Sequence, residues 1–165
     1  MIAAAKATNK ILTVFQNRRY DSDFLTLKQV MASGSLGEIT EFQNHYDMDS
    51  PEWVQKWTDP DFVPGQGMLF GLGTHSLDQT LLLFGKPKSV TAFSRALRGT
   101  GRADDSFTIV LQYDGKQKDL VATVKTTIVS TLPMDKQLKF MVRGREGSFL
   151  KVRNRDFNFY VNKRT

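Results

Sequence analysis

The sequence predicts an α+β domain, an open and mainly antiparallel sheet with helices packed on one face. Three observations carry that expectation. Two helix-length patterns, each closed by a glycine stop, lie in the first half of the chain. Six β-prone segments fill the second half. The links between those segments, such as Asp114-Gly115 and Gly144-Arg145-Glu146-Gly147, are too short to hold a crossover helix, so neighbouring strands pair antiparallel.

Taken in order, Ile2 to Thr8 is Ala-rich but has no N-cap, so residues 1–9 read as the last turns of a helix that begins upstream. Ile11-Leu12-Thr13-Val14-Phe15 is β-branched and aromatic and reads as a short buried strand. Asp21 or Ser22 caps a helix running through Phe24, Leu27, Val30 and Met31 to a stop at Gly34. Gly37 to Tyr46 is weakly strand-like, and the three prolines between Pro51 and Pro64 predict an irregular loop carrying Trp53 and Trp57. A second helix is expected to begin at an N-cap on Thr74, bury Leu77, Leu81, Leu82 and Phe84, and stop at Gly85. The expected strands are Ser89 to Leu97, Ser106 to Tyr113, Leu120 to Ser130, Gln137 to Val142, Ser148 to Val152 and Phe157 to Val161.

The 165 residues, 40% of them hydrophobic, suit one domain with one core. With no cysteine, thiol nucleophiles, disulfides and Cys-ligated zinc are excluded, and a cytoplasmic setting is the default expectation. No apolar run approaches the ~20 residues of a membrane span. The net charge of +6 is scattered, apart from the tail around Arg153, Arg155, Lys163 and Arg164, so a nucleic-acid partner is not expected. The cluster Gly65-x-Gly67-x-x-x-Gly71-x-Gly73 lacks the spacing and the preceding strand of a dinucleotide turn, and reads instead as a tight turn with close backbone approach.

Five stretches in order carry a resemblance. They are Leu12 to Phe24, Gly34-Ser-Leu-Gly-Glu-Ile39, Gly65 to Gln79, Asp104-Asp-Ser-Phe107, and Phe140 to Phe149. Together they resemble the C-terminal domain of Gfo/Idh/MocA-type NAD(P)-dependent oxidoreductases, whose fold is dihydrodipicolinate-reductase-like. The resemblance implies an upstream Rossmann domain, not contained in these residues, which ends in Glu-Lys-Pro and holds NAD or NADP. No cofactor is then expected on this chain itself, which would supply the substrate pocket and a homo-oligomer contact through the open sheet face. It further implies a sugar or polyol substrate, with His75 contacting or deprotonating its hydroxyl and Asp78 orienting that region. Gly71 stands where the family motif has its first Asp.

Arg18, Arg19 and Tyr20, at the end of the Ile11–Phe15 run, are the further substrate-contact candidates, since guanidinium groups on a loop can hold a hydroxylated or anionic ligand. Pairing with Asp21 and Asp23 is the alternative. Trp53 and Trp57 are candidates for the apolar floor of a sugar site, or pack their loop onto the domain. If His75 lies in a helix first turn, the positive dipole end favours its uncharged ring. A non-catalytic ligand-binding or regulatory protein on the same scaffold is the competing function, favoured by the glycine at position 71.

Overall fold

A computed structural model describes residues 1–55, 65–99, 103–154 and 156–161. Four helices, α1 (Ile2–Ala7), α2 (Ser22–Ala32), α3 (Glu52–Gln55) and α4 (Thr74–Phe84), accompany seven strands. The strands are β1 (Ile39–His45), β2 (Ser89–Arg95), β3 (Ser106–Gln112), β4 (Val121–Thr127), β5 (Leu138–Gly144), β6 (Gly147–Val152) and β7 (Phe157–Val161). They form a single sheet in the order β2-β3-β4-β1-β5-β6-β7.

Every neighbouring pair is antiparallel except β1 with β4. The chain leaves β1, crosses α3 and α4, runs the β2–β3–β4 meander and returns beside β1 in the same direction, which only a long connection permits. β1 is therefore central. Its Phe42 is wholly buried and makes an edge-to-face contact with Phe84 of α4 at 5.1 Å. Phe140 of β5 lies 6.3 Å from both Phe42 and Phe24 of α2, so the helices and the sheet share one aromatic core. The alternating Phe107, Ile109, Leu111 and Tyr113 belong to this core. The β5–β6 turn needs glycine at its start, because a Cβ on Gly144 would run into the Leu36 carbonyl.

Four local expectations are corrected. Ile11 to Phe15 is not a strand: it pairs with none of the seven and its large side chains are exposed, Ile11 by 97%. Propensity without a partner edge does not make a strand. The Pro51–Pro64 segment begins with the short α3, and Trp57 lies outside the described residues. Thr74 is not an N-cap, because a π-helical turn over Leu69–Gly73 runs straight into α4 with Gly73 and Thr74 both in helical conformation.

The buried side of α4 is also different, formed by Ser76, Gln79, Thr80 and Phe84, while Leu81 and Leu82 are exposed. Small hydroxyl residues face the sheet because their oxygens are satisfied within the helix: Thr80 Oγ1 donates to the Ser76 carbonyl at 2.7 Å. The open face of the sheet mixes polar and apolar side chains, with Val110, Val121, Met141 and Leu150 among the latter. Its middle carries Glu41 and Gln43, Thr123 and Lys125, and Arg143, which pairs with Glu41 at 3.0 Å. The exposed rings on that face, Phe93 and Tyr160, stand on the two edge strands.

Candidate functional site

Arg18, Arg19 and Tyr20 lie on a 3-10 turn, Asn17–Tyr20, which packs against α4. A buried amide relay fixes that junction. Asn44 of β1 donates through Nδ2 to Gln79 Oε1 at 3.0 Å and to the Ser76 carbonyl at 3.3 Å. Gln79 in turn donates through Nε2 to the Arg18 carbonyl at 2.8 Å. Asn44 and Gln79 are wholly buried, so the relay holds turn, helix and central strand in one geometry.

Arg19 clamps Asp78 from the other side, its Nε donating at 2.7 Å to one carboxylate oxygen and its Nη2 to the other. Arg18 pairs with Asp21 at 3.3 Å. Its guanidinium carbon also lies 5.7 Å from the Tyr46 ring centre.

His75, one turn before Gln79 on α4, is half-buried, and among the described residues its Nδ1 has no hydrogen-bond partner. Burial lowers its pKa from the ordinary 6.5, and the positive charge of Arg18 lowers it further. The ring is therefore neutral near pH 7. The helix-dipole reason for this fails, since His75 sits within a continuous helical run; burial supplies the effect instead.

Of the remaining sequence candidates, Gly71 is exposed on the π-helical turn and does not take positive φ. Tyr20 is 68% exposed, its ring 6.1 Å from Phe15. Trp53 is 45% exposed on α3. The fold thus brings Arg18, Arg19, His75 and Asp78 together at the turn–α4 junction. Sequence reasoning missed the relay residues Asn44 and Gln79, because a buried amide in a strand or helix reads as an exposed polar position. It also missed Tyr46, Lys139 and Arg153, which line a cavity beside Arg18. Among the described residues no group of side chains suits a metal ion, and no helix is long and apolar enough to cross a membrane.

Comparison with known proteins agrees with this architecture. A family model described as GFO/IDH/MocA C-terminal domain matches residues 24–150. The oxidoreductase YhhX of Escherichia coli is 40% identical over 151 residues, covering 92% of this chain and 41% of its own length. The scyllo-inositol 2-dehydrogenase (NADP(+)) IolW of Bacillus subtilis is 36% identical over 148 residues, covering 90% of this chain and 39% of its own length. A crystal structure of an oxidoreductase from Bacillus cereus superposes with a TM-score of 0.74 at 31% identity, covering 91% of this chain and 47% of that one. The chain therefore spans less than half the length of these relatives. With its open mixed sheet and a family match over most of its length, the chain belongs to the GFO/IDH/MocA oxidoreductases and folds as their C-terminal domain.

Proposed function

We propose that this domain forms the substrate side of an NAD(P)-dependent oxidoreductase acting on a sugar or polyol, with His75 as the group that accepts the substrate hydroxyl proton. The observation that carries the reading is the His75 ring: half-buried, neutral, with Nδ1 free of any partner among the described residues, and held on a helix by a buried relay. A neutral imidazole with an unpaired nitrogen can take a proton as a carbinol is oxidised, while NAD or NADP on a separate Rossmann domain takes the hydride.

In this reading Asp78 is a positioning residue, because both its oxygens are engaged by Arg19 and the pair locks the turn onto α4. Arg18 faces the ligand. Trp53 and Tyr20, exposed as they are, offer apolar rings to a sugar or to the cofactor domain. The exposed Ile11, Leu12, Val14 and Phe15, with Phe70, Leu81 and Leu82, form apolar surface of the kind a packed neighbouring domain covers. The dehydrogenase relative from Bacillus subtilis acts on an inositol, which supports the polyol class.

The first test is nucleotide binding. The described residues form no strand–glycine turn–helix unit to cradle a pyrophosphate, so calorimetric titration of the isolated chain with NAD and NADP is expected to show no binding. Micromolar affinity for either nucleotide would remove the division of labour on which the reading depends. Self-association through the open sheet face is expected to be salt-sensitive, since the centre of that face is charged and only its edges carry Phe93 and Tyr160. Light scattering across a salt series measures it, and a monomer at every salt concentration would contradict it.

A further inference from the structure

We infer that the cavity between the Asn17–Tyr20 turn, the start of α2 and the strands around Lys139 seats an oxyanion, a carboxylate or phosphate carried by the substrate, with Lys139 Nζ at its floor. The inference rests on the substrate-side reading above and narrows its substrate to an acidic sugar or polyol derivative. The cavity measures about 390 Å³ and presents four cations, Arg18, Lys139, Lys151 and Arg153, against two carboxylates, Asp21 and Asp23. One of those carboxylates is already engaged, by Arg18 at 3.3 Å. The formal surplus is positive, and of the four cations Lys139 is the buried one.

Lys139 is the decisive group. It is only 3% exposed, and its Nζ has no hydrogen-bond partner among the described residues. The Nζ instead lies 3.0 Å from the centre of the Tyr46 ring and 4.9 Å from that of Phe140. The inward aim follows from the strand. The β5–β6 register slips between Leu138 and Phe140, so Lys139 turns to the helix face beside Phe140 instead of alternating to the open face. A buried ammonium with three donors, in ring contact and in the field of Asp21 and Asp23 but hydrogen-bonded to neither, is a costly arrangement unless something supplies acceptors. Burial holds its pKa well below the usual 10.5. An oxyanion in the cavity would provide acceptors and restore the charge.

Arg153 contributes a second fork. One of its Nη1 bonds goes to the Asp47 carbonyl at 2.9 Å, which anchors the guanidinium at the cavity wall. The charges of Arg18 and Lys139 both act on the His75 ring, so a ligand anchored here lies within electrostatic reach of the proposed base.

The test uses the 165-residue chain and three probes of similar size: D-glucitol, D-gluconate and D-glucitol 6-phosphate. Calorimetric titration is expected to show one of the two anions binding about tenfold or more tighter than neutral glucitol, and which of them leads distinguishes carboxylate from phosphate. Titration in buffers of different ionisation enthalpy is expected to reveal proton uptake on anion binding at pH above the lowered Lys139 pKa. The groups that face Lys139 and share its field are Asp21 and Asp23 at the start of α2, Arg18, Tyr46, Lys151 and Arg153. Lys139→Met keeps a similar shape without the charge, and is expected to bring anion affinity down to that of glucitol; Arg153→Gln, at the cavity wall, is expected to weaken it by a smaller factor.

Equal affinity for glucitol and both anions, or no binding of either anion, overturns the anion seat. So does unchanged anion affinity in folded Lys139→Met and Arg153→Gln proteins. The oxidoreductase reading fails independently, if the domain joined to a cofactor domain transfers no hydride whatever its preference among these probes.

Discussion

Replacing His75 by alanine in a protein that joins this domain to a functional cofactor domain is expected to lower turnover by about 10² to 10⁴, the range a positioned acid–base group contributes. In the proposed reading the ring is the proton acceptor, and it has an unpaired, buried Nδ1 and a neutral resting state. Its lowered pKa gives the pH dependence a sign. A base whose folded pKa lies below 6.5 stays neutral to more acidic pH than an ordinary histidine, so kcat/KM should fall on the acid side with a midpoint below 6.5. The same shift means that stability linked to this ring is fully present above 6.5 and is lost as pH falls through the lowered value. Gly71→Asp should raise turnover, because position 71 is exposed and free of positive φ, so a carboxylate fits the backbone there and can bias the imidazole toward accepting a proton. Steady-state kinetics of the three proteins on a polyol and aldose panel measures both effects. If neither substitution changes the rate, the base lies elsewhere.

Gln79→Ala is expected to destabilise the domain by about 2 to 5 kcal/mol, a Tm loss of roughly 4 to 20 °C at this size. The side chain is wholly buried, and its loss leaves a cavity and strips the Arg18 carbonyl of its donor. Asn44 loses one acceptor and keeps only the longer bond to Ser76. Leu81→Ala on the exposed side of the same helix should stay within about 0.5 kcal/mol. Thermal melts of the two variants decide which face of α4 is inside. A larger loss for Leu81→Ala would return the helix to the orientation its leucines suggest.

That orientation is where the sequence misleads most. Phe84 is buried and Leu77 packs against the core as the stripe suggests, yet Leu81 and Leu82 are exposed and the helix also packs through Ser76, Gln79 and Thr80, whose polar atoms are satisfied inside the helix or by the relay. Hydrophobic periodicity has no way to register such a contact. The start of the helix was misjudged for a related reason: the glycines at 71 and 73 suggest a turn, but both lie in a π-helical run that feeds directly into Thr74. Strand positions from β2 onward were legible to within about three residues at either end, because turn signals bound them and some alternate, as Phe107, Ile109 and Leu111 do.

Of the site, His75 and Asp78 were visible through the family resemblance and the two arginines as guanidinium groups on a loop, and the four lie at one junction. Lys139 was not, because the slipped register that turns it inward leaves no trace in a strand that reads Leu-Lys-Phe-Met-Val. Asn44 and Gln79 carry no motif at all; their importance lies entirely in what the fold brings within 3.0 Å.

The most direct test of the central claim joins residues 1–165 to the part of the YhhX relative that this chain does not cover and follows reduction of NAD and NADP with a panel of polyols, aldoses and their acids. The account predicts hydride transfer by the joined protein, none by the isolated domain, and loss of that transfer on His75→Ala. A joined protein that binds nucleotide yet reduces none with any substrate, or one whose turnover survives His75→Ala unchanged, would contradict it.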